Sequence, residues 1–461
     1  MSEKLSSHDN IFGLLDITTP LNTAFKGIYM RSFAFITLKD RLPVILTKVI
    51  DILSRDKEEI GTKYGKESLE ELKDVIGCIS KLKNEIVTNK PLKPLSPVPD
   101  DAQDDSKIWN DYLEETTKRE GQLPTWFQVI WLYSEGYMYR RLAQDIALTR
   151  TLQCHDYFAK LKQNEFWHAK NNIHFVSVYL VDLFNRNENI STAERKHEFI
   201  KLLKLSLWAN RCDLCLNVGT PSNQGGNPIE LLESFESDIL VNDSMFVWDL
   251  LNKNKTADIV IVDIVLDNAG YELFVDFCLA IFLIAQNLAQ KIRLYVKRIP
   301  WYVSDTTIND FHWIIEKMKA SSNNELKTLG EIASSHLKSH VWTIEEESFW
   351  TQPYDYPQMK IHDPVLYAKL SEATLVIFKG DLNYRKLLAD INFAYTTNFV
   401  QALQGFSPTN ILSLRTIKSN GCVGLQPGKA ESLTEMDENW MITGRYGLIQ
   451  ATVDTGCPCA K

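Results

Sequence analysis

Three short apolar runs in the second half of the chain are each broken off by an aspartate, and a helical pattern follows within a few residues. ADIVIVDIVLDNAG leads into YELFVDFCLAIFLIAQ, KIRLYVKRIPWYVSD reaches Asp305, and EATLVIFKGDLNYRKLLADI repeats the order, while TNILSLRTIKS offers one more strand. Branched apolar runs bounded by turn residues read as strands, and strands alternating with helices build a mostly parallel sheet with helices on both faces. Such sheets bind ligands in the crevice at the carboxyl ends of their strands. That rule brings Asp267 with Asn268, Asp305, and Asp381 with Asn383 to one edge. Each alone is an ordinary helix cap. Caps do not explain why three strand ends all carry aspartate, whereas carboxylate, amide and water oxygens without thiolates suit a hard divalent cation such as Mg²⁺ or Mn²⁺.

The first half reads differently. Apolar residues at helical spacing (Ile45, Val49, Ile50, Leu53) precede a charged stretch. A break follows at PLKPLSPVPDDAQDD, residues 91–105, whose four prolines and four aspartates mark a loop or linker. Pro124 suits a first helical turn, and Ser191 with Glu194 has capping-box spacing, which predicts a helix running to about Leu216. The expected organisation is a helical region over 1–216 and an α/β/α unit over 217–461.

With 461 residues, 44% of them hydrophobic, a large core is possible, and a net charge of −9 argues against a general binder of nucleic acid or anionic membranes. The opening MSEKLSSHDN has no apolar signal core, and the stretch from Leu273 is broken by Asp276 and short for a membrane span, so a soluble intracellular protein is expected. The eight cysteines read as reduced thiols: Cys212 and Cys215 have no second pair at zinc spacing, and Cys457 and Cys459 fall in the last five residues. GTPSNQGGNP from Gly219 fits neither a P-loop nor a dinucleotide fingerprint and reads as a loop or lid. No G-x-S-x-G elbow is present.

Positive charge lies beside the acidic turns. Arg385 and Lys386 follow the third, and Arg415 and Lys418 follow the last strand in RTIK. A single Lys or Arg is ordinarily a solvated surface charge. Together with a cation and the helix start at Gly380-Asp381-Leu382-Asn383, these residues make up the usual apparatus for a phosphoryl group. Phosphate-ester hydrolysis is the chemistry they suit, with Lys418 and Arg385 stabilising charge and either Asp305 or Asp381 as base, a direct aspartyl nucleophile remaining open.

LDNAGYELF (266–274), VSDTTIND (303–310), KGDLNYRKL (379–387) and RTIK (415–418) resemble the metal-dependent damage-control phosphatases. The match is to their third, eukaryotic subfamily, some of whose members have also been described as acidic-residue (protein-glutamate) methyltransferases. PTWFQVIWLYSEGYMYRR (124–141) and LLESFESDILVND (231–243) extend the resemblance over most of the chain. It implies a helical N-terminal region packed on an α/β/α sandwich with a Rossmann-like sheet. It implies a divalent metal (Mn²⁺, Co²⁺, Ni²⁺ or Mg²⁺) on Asp267, Asn268 and Asp305. Substrate would be bound by Asp267, Asn268, the segment Asp381, Leu382, Asn383, Tyr384 and Arg385, and Lys418. Catalysis would fall to Asp267, Asp305, Asp381 and Lys418.

The implied substrates are small phosphorylated metabolites, above all ketose phosphates such as fructose 1-phosphate and fructose 6-phosphate. A monomer in the cytosol, with the nucleus as a further compartment, is expected. Specificity is expected from the helical half, where Trp126, Tyr137, Tyr139, Arg140 and Arg141, with the 219–227 loop, would close over the sugar. Two other readings compete. An S-adenosylmethionine-dependent carboxyl methyltransferase would contact its cofactor through Glu272 and Asp305, but the turn after the first strand offers one glycine and two metal-type ligands. A non-enzymatic scaffold has the intact acidic loops against it.

Overall fold

Runs of branched apolar residues that alternate between two packed faces form the centre of the computed structural model, which describes residues 13–99, 101, 103–186, 190–217, 227–254 and 259–452. Seven strands, β1 (Ile239–Asn242), β2 (Ile261–Val265), β3 (Lys291–Tyr295), β4 (Trp342–Glu345), β5 (Leu375–Lys379), β6 (Ile411–Thr416) and β7 (Gly447–Thr452), make one sheet in the order β1-β7-β6-β5-β2-β3-β4. Every neighbouring pair is parallel except β6 and β7. The chain runs outward from β2 through β3 to β4 and then returns to lay β5 on the other side of β2. The strand order therefore reverses between β2 and β5, and a crevice opens there.

Period-two alternation divides the core. Ile264, Ile377 and Leu412 face one apolar layer, which includes the helix Tyr271–Ala285. Val265, Phe378 and Ile411 face the other, with Trp350, Tyr356 and Trp440. The helix Tyr271–Ala285 is buried along nearly its whole length, which accounts for its continuous hydrophobicity. Among the described residues no helix is long and apolar enough to cross a membrane.

A third core lies in the helical half, where Leu42, Leu46, Val49 and Leu53 of Leu42–Arg55 pack with Leu72, Val75, Ile79 and Leu82 of Ser68–Val87. The helix capped by Ser191 and Glu194 forms as expected, running Thr192–Asn217, with both reciprocal bonds present. Its packing differs from the organisation expected. Residues from Phe166 to Ala209 belong to the sheet's apolar layer, so the cores change over before 166 and not at 216.

Residues 91–105 are not a free linker: Leu92 and Leu95 are buried, and Arg140 holds Asp104 and Asp105. Pro124 does not open a helix, which begins at Trp131. The intervening residues turn at Thr125 and are pinned where Phe127 N–H donates to Asn89. Residues 219–226, 457 and 459 and the side chains of Cys212 and Cys215 lie outside the described residues. Cys78, Cys154, Cys278 and Cys422 are unpaired thiols.

Candidate active site

Two backbone segments meet at the carboxyl end of β2. Beyond β3 the chain does not continue as a strand. It loops, so that Ala269 N–H bonds to Ser304 O at 2.8 Å and Thr306 N–H to Asp267 O at 2.8 Å. This small antiparallel bridge sets Asn268 opposite Asp305. Just before it, Tyr302 and Val303 hold φ of 41° and 70°. The left-handed region is costly for a β-branched residue, and strain of this kind persists where the surroundings over-determine it.

The third turn arrives from β5, at whose end Gly380 has φ +82°. A Cβ there would stand 1.9 Å from Asp267 Oδ2, so only glycine lets the two strand ends meet. From Gly380 the chain is helical to Leu387, and helical periodicity sorts its side chains. Asp381, Leu382 and Arg385 line a cavity of about 270 Å³. Asn383 and Tyr384 turn into the core: Asn383 donates to Lys379 O and accepts from Tyr356, and Tyr384 donates to Gln450. Neither side chain reaches the cavity. Lys386 is also turned away, donating to Phe349, Trp350 and Gln352 carbonyls.

Of RTIK, Lys418 lines the cavity and Arg415 does not. Arg415 is buried and donates through Nε to Asp381 Oδ1 at 2.8 Å, an oxygen that also accepts from Lys418 N–H at 3.2 Å. Asp381 thus fastens the Lys418 loop. Burial alone would raise its pKa, but Arg415 and the Ser419 hydroxyl hold it below the usual carboxylate range.

Asp267, Glu272 and Asp305 are all nearly buried at the cavity's inner end. Burial, then the charges of Glu272 and Asp305, raise the Asp267 pKa well above its ordinary value, against the pull of Lys297 and Lys418. Asp305 is pushed up to about 6 by burial, Lys297 pulling the other way from 3.3 Å. That contact falls on Asp305 Oδ2, which has the Lys297 ammonium beside it but no well-aligned hydrogen bond. Asn268 donates through Nδ2 to both Asp267 Oδ2 and Glu272 Oε2 at 2.8 Å, and its Oδ1 accepts from Ser304. Crowded, buried carboxylates with an amide between them fit a hard cation. Among the described residues no group of three or more His, Cys, Asp or Glu side chains is placed to hold a metal ion by itself. The donor set is two carboxylates and an amide, which leaves the remaining positions to water and ligand oxygens.

The opposite wall comes from the helical half, through residues the sequence did not single out: Phe33, Arg41, Trp131 and Glu135, with Tyr302 beside them. Glu135 accepts from Arg385 at 2.7 Å, and Arg385 also holds Asp390 at 2.9 Å while stacking 3.5 Å over the Trp131 ring. The aromatics expected to close over the substrate lie elsewhere. Trp126, Tyr137 and Tyr139 are core residues, Arg140 pairs with Asp104 and Asp105, and Arg141 pairs with Glu85. Two residues of the actual wall, Trp131 and Glu135, lie in the same segment 124–141 as the expected ones. Trp131 and Glu135, one helical turn apart, were the legible signal within it.

A family model described as the damage-control phosphatase ARMT1-like domain matches residues 37–433. The chain is similar to damage-control phosphatase ARMT1 of Mus musculus, 44% identical over 91% of this chain and 96% of that protein. It is similar to the Homo sapiens protein of that name at 42%, over 93% and 98%, and to that of Xenopus tropicalis at 40%, over 95% and 99%. A solved DUF89 family protein of Pyrococcus horikoshii aligns at 16% identity over 75% of this chain and 89% of that one with a TM-score of 0.37, too distant a likeness to bear on the fold.

Proposed function

The chain belongs to the damage-control phosphatase ARMT1-like family, and from that membership we propose a metal-dependent phosphatase of small phosphometabolites, with ketose phosphates such as fructose 1-phosphate and fructose 6-phosphate as substrates. The observation that carries the reading is the buried carboxylate cluster of Asp267, Glu272 and Asp305 lining one cavity with Lys418 at the point where strand order reverses. A carboxylate cluster alone would repel a phosphoryl group. With a divalent cation on Asp267, Asn268 and Asp305 the same cluster would attract one.

A cation bound there would polarise a phosphoryl oxygen and lower the pKa of a water. Mn²⁺, Co²⁺, Ni²⁺ and Mg²⁺ all accept such oxygen ligands. The chain's own groups do the rest. Ser304, a hydroxyl, can donate or accept, so Asn268 can turn its oxygen toward the cluster without leaving a group unpaired. Lys418 offers charge to the equatorial oxygens, and Asp381 holds its loop in place. Because Asp381 Oδ1 is already taken by Arg415 and Lys418 N–H and its pKa is held low, Asp305, whose pKa burial pushes up to about 6, is the better proton acceptor of the two.

The methyltransferase reading lacks such support. The glycine of the first turn, Gly270, makes its close approach to protein: a Cβ there would meet Glu165 Cβ at 3.1 Å and Lys162 O at 3.3 Å. Glu272 is held by Lys379 at 3.2 Å.

Phosphate release from fructose 1-phosphate should vanish on metal stripping and return with one of the four ions. Asp267→Ala should stay inactive with every ion, and Lys418→Ala should lose roughly 2 to 5 kcal/mol of transition-state binding. Normal metal-dependent turnover by Asp267→Ala would overturn the site. Release restored by no ion, from this or other phosphoesters, together with calorimetric binding of S-adenosylmethionine, would replace the phosphatase with the methyltransferase.

A further inference from the structure

The cavity wall carries a cation to which none of these roles falls. The helix beginning at Phe33–Ile36 passes through a π turn, Thr37–Arg41, before continuing as Leu42–Arg55, with Leu42 N–H bonded to Thr37 O. A π turn inserts a residue, worsens hydrogen-bond geometry and is found mostly at functional sites. Here it keeps Leu38 and Leu42 fully buried while Arg41 lines the cavity. The guanidinium rests over the Phe33 ring, 4.9 Å from its centroid. Phe33 N–H in turn donates to Asn420 Oδ1 at 2.6 Å, two residues past Lys418. The perch of Arg41 is therefore fastened to the loop that carries Lys418.

Charge pairing sets Arg41 apart. Arg385 is held between Glu135 and Asp390, Lys379 answers Glu272 and Asp276, and Lys297 answers Asp305. Among the described residues no carboxylate lies within ion-pair distance of Arg41, which is exposed and held by its aromatic contact. An arginine stays charged at any physiological pH and matches phosphoryl oxygens with a two-pronged fork.

We infer that Arg41 is a phosphoryl-binding residue of this cavity: its guanidinium leaves the Phe33 face to hold the substrate's phosphoryl oxygens from the helical side, across from Lys418. The inference rests on the phosphatase reading. Being exposed on a flexible stem, Arg41 also meets the incoming anion early, so its charge speeds capture as well as holding the bound group.

The test uses the full chain with Mg²⁺. Calorimetry measures the affinity for inorganic phosphate, and turnover of fructose 6-phosphate is followed across a range of KCl concentrations. Arg41→Ala should weaken phosphate binding and lower kcat/KM by roughly ten-fold or more each, and Arg41→Lys, which keeps the charge but not the fork, should fall between. The decline of kcat/KM with salt should be shallower in Arg41→Ala than in wild type, a change that a merely structural residue would not produce. Phosphate affinity within two-fold of wild type in Arg41→Ala overturns the inference while leaving the phosphatase intact. Arg41-dependent phosphate binding without turnover of any phosphoester keeps the anion site and overturns the phosphatase. A wild-type chain that neither binds phosphate nor hydrolyses phosphoesters overturns both.

Discussion

Asp145, in the helix Trp131–Ala147 that supplies the cavity wall, shows what an acid costs here when it lacks a well-made partner. Its Oδ2 is buried and accepts no hydrogen bond. Burial pushes its pKa from 3.8 up to about 6, with Arg141 pulling the other way. Between those two values the folded chain binds more protons than the unfolded chain, so stability falls as pH rises through that window. Asp145→Asn removes the penalty and should stabilise the protein by about 1 to 2 kcal/mol at pH 7, and by little at pH 3, where the carboxyl is protonated in both states. Urea unfolding at the two pH values checks this, and an equal gain at both would sink it. At the same scale, Asp267 and Asn268 were legible because a strand end followed by an oxygen-bearing side chain has a defined position in a parallel sheet, whereas Asp305 reaches the same edge through a loop that folds back onto Asn268. Arg41 was not legible. It is one arginine among fifty Lys and Arg residues, and its place depends on a π turn that its own sequence does not announce.

Elements decide which of the neighbouring residues reach the ligand. The helix start at Gly380 was expected, yet the family resemblance assigned every side chain from Asp381 to Arg385 to the substrate. Because the helix starts at Gly380, only one stripe faces the cavity, and Asn383 and Tyr384 become bolts that hold the helix to Tyr356 and Gln450. A helix start one turn later would have presented a different set. The junction itself rests on Gly380. Gly380→Ala should leave a folded protein, less stable by about 1 to 3 kcal/mol from the left-handed backbone. Its Mn²⁺ affinity should drop at least ten-fold by calorimetry, because the new methyl displaces Asp267. An alanine variant that binds Mn²⁺ as tightly as wild type would show that Asp267 is not where the ion is held. The stretch 296–305, expected as strand, was misread because the chain leaves the sheet after Val296, whose N–H still bonds to Glu345 O at 3.0 Å, and Trp301 packs into the core of the helical half.

Across the whole molecule the cavity is a seam between the sheet edge and the helical half, stitched by Asp390. That residue holds Arg385, and its side chain accepts from Leu132 N–H at 2.9 Å while its carbonyl accepts from Phe25 N–H at 2.9 Å. Such long-range stitching is invisible in a linear reading, which is why Trp126, Tyr137, Tyr139, Arg140 and Arg141 were expected at the cavity, where Trp131 and Glu135 line it instead. Metal binding at the seam should stabilise the fold. Saturating Mn²⁺ or Mg²⁺ should raise the unfolding free energy by about 2 to 3 kcal/mol at a hundred times Kd, and Asp267→Ala should show no such rise in thermal scans. A similar rise in the variant would place the ion elsewhere. The sheet order carries a last consequence, for biosynthesis. Chains leave the ribosome from their first residue onward, yet β7, the latest strand to emerge among those described, lies between β1 and β6. Until residues 447–452 are out, β1 has no partner and one side of β6 stays open, so the nascent chain carries an unpaired strand from the emergence of residues 239–242 until then. A premature stop shortly before β7 would leave the other six strands made but the sheet split, a product for chaperones and proteases to deal with.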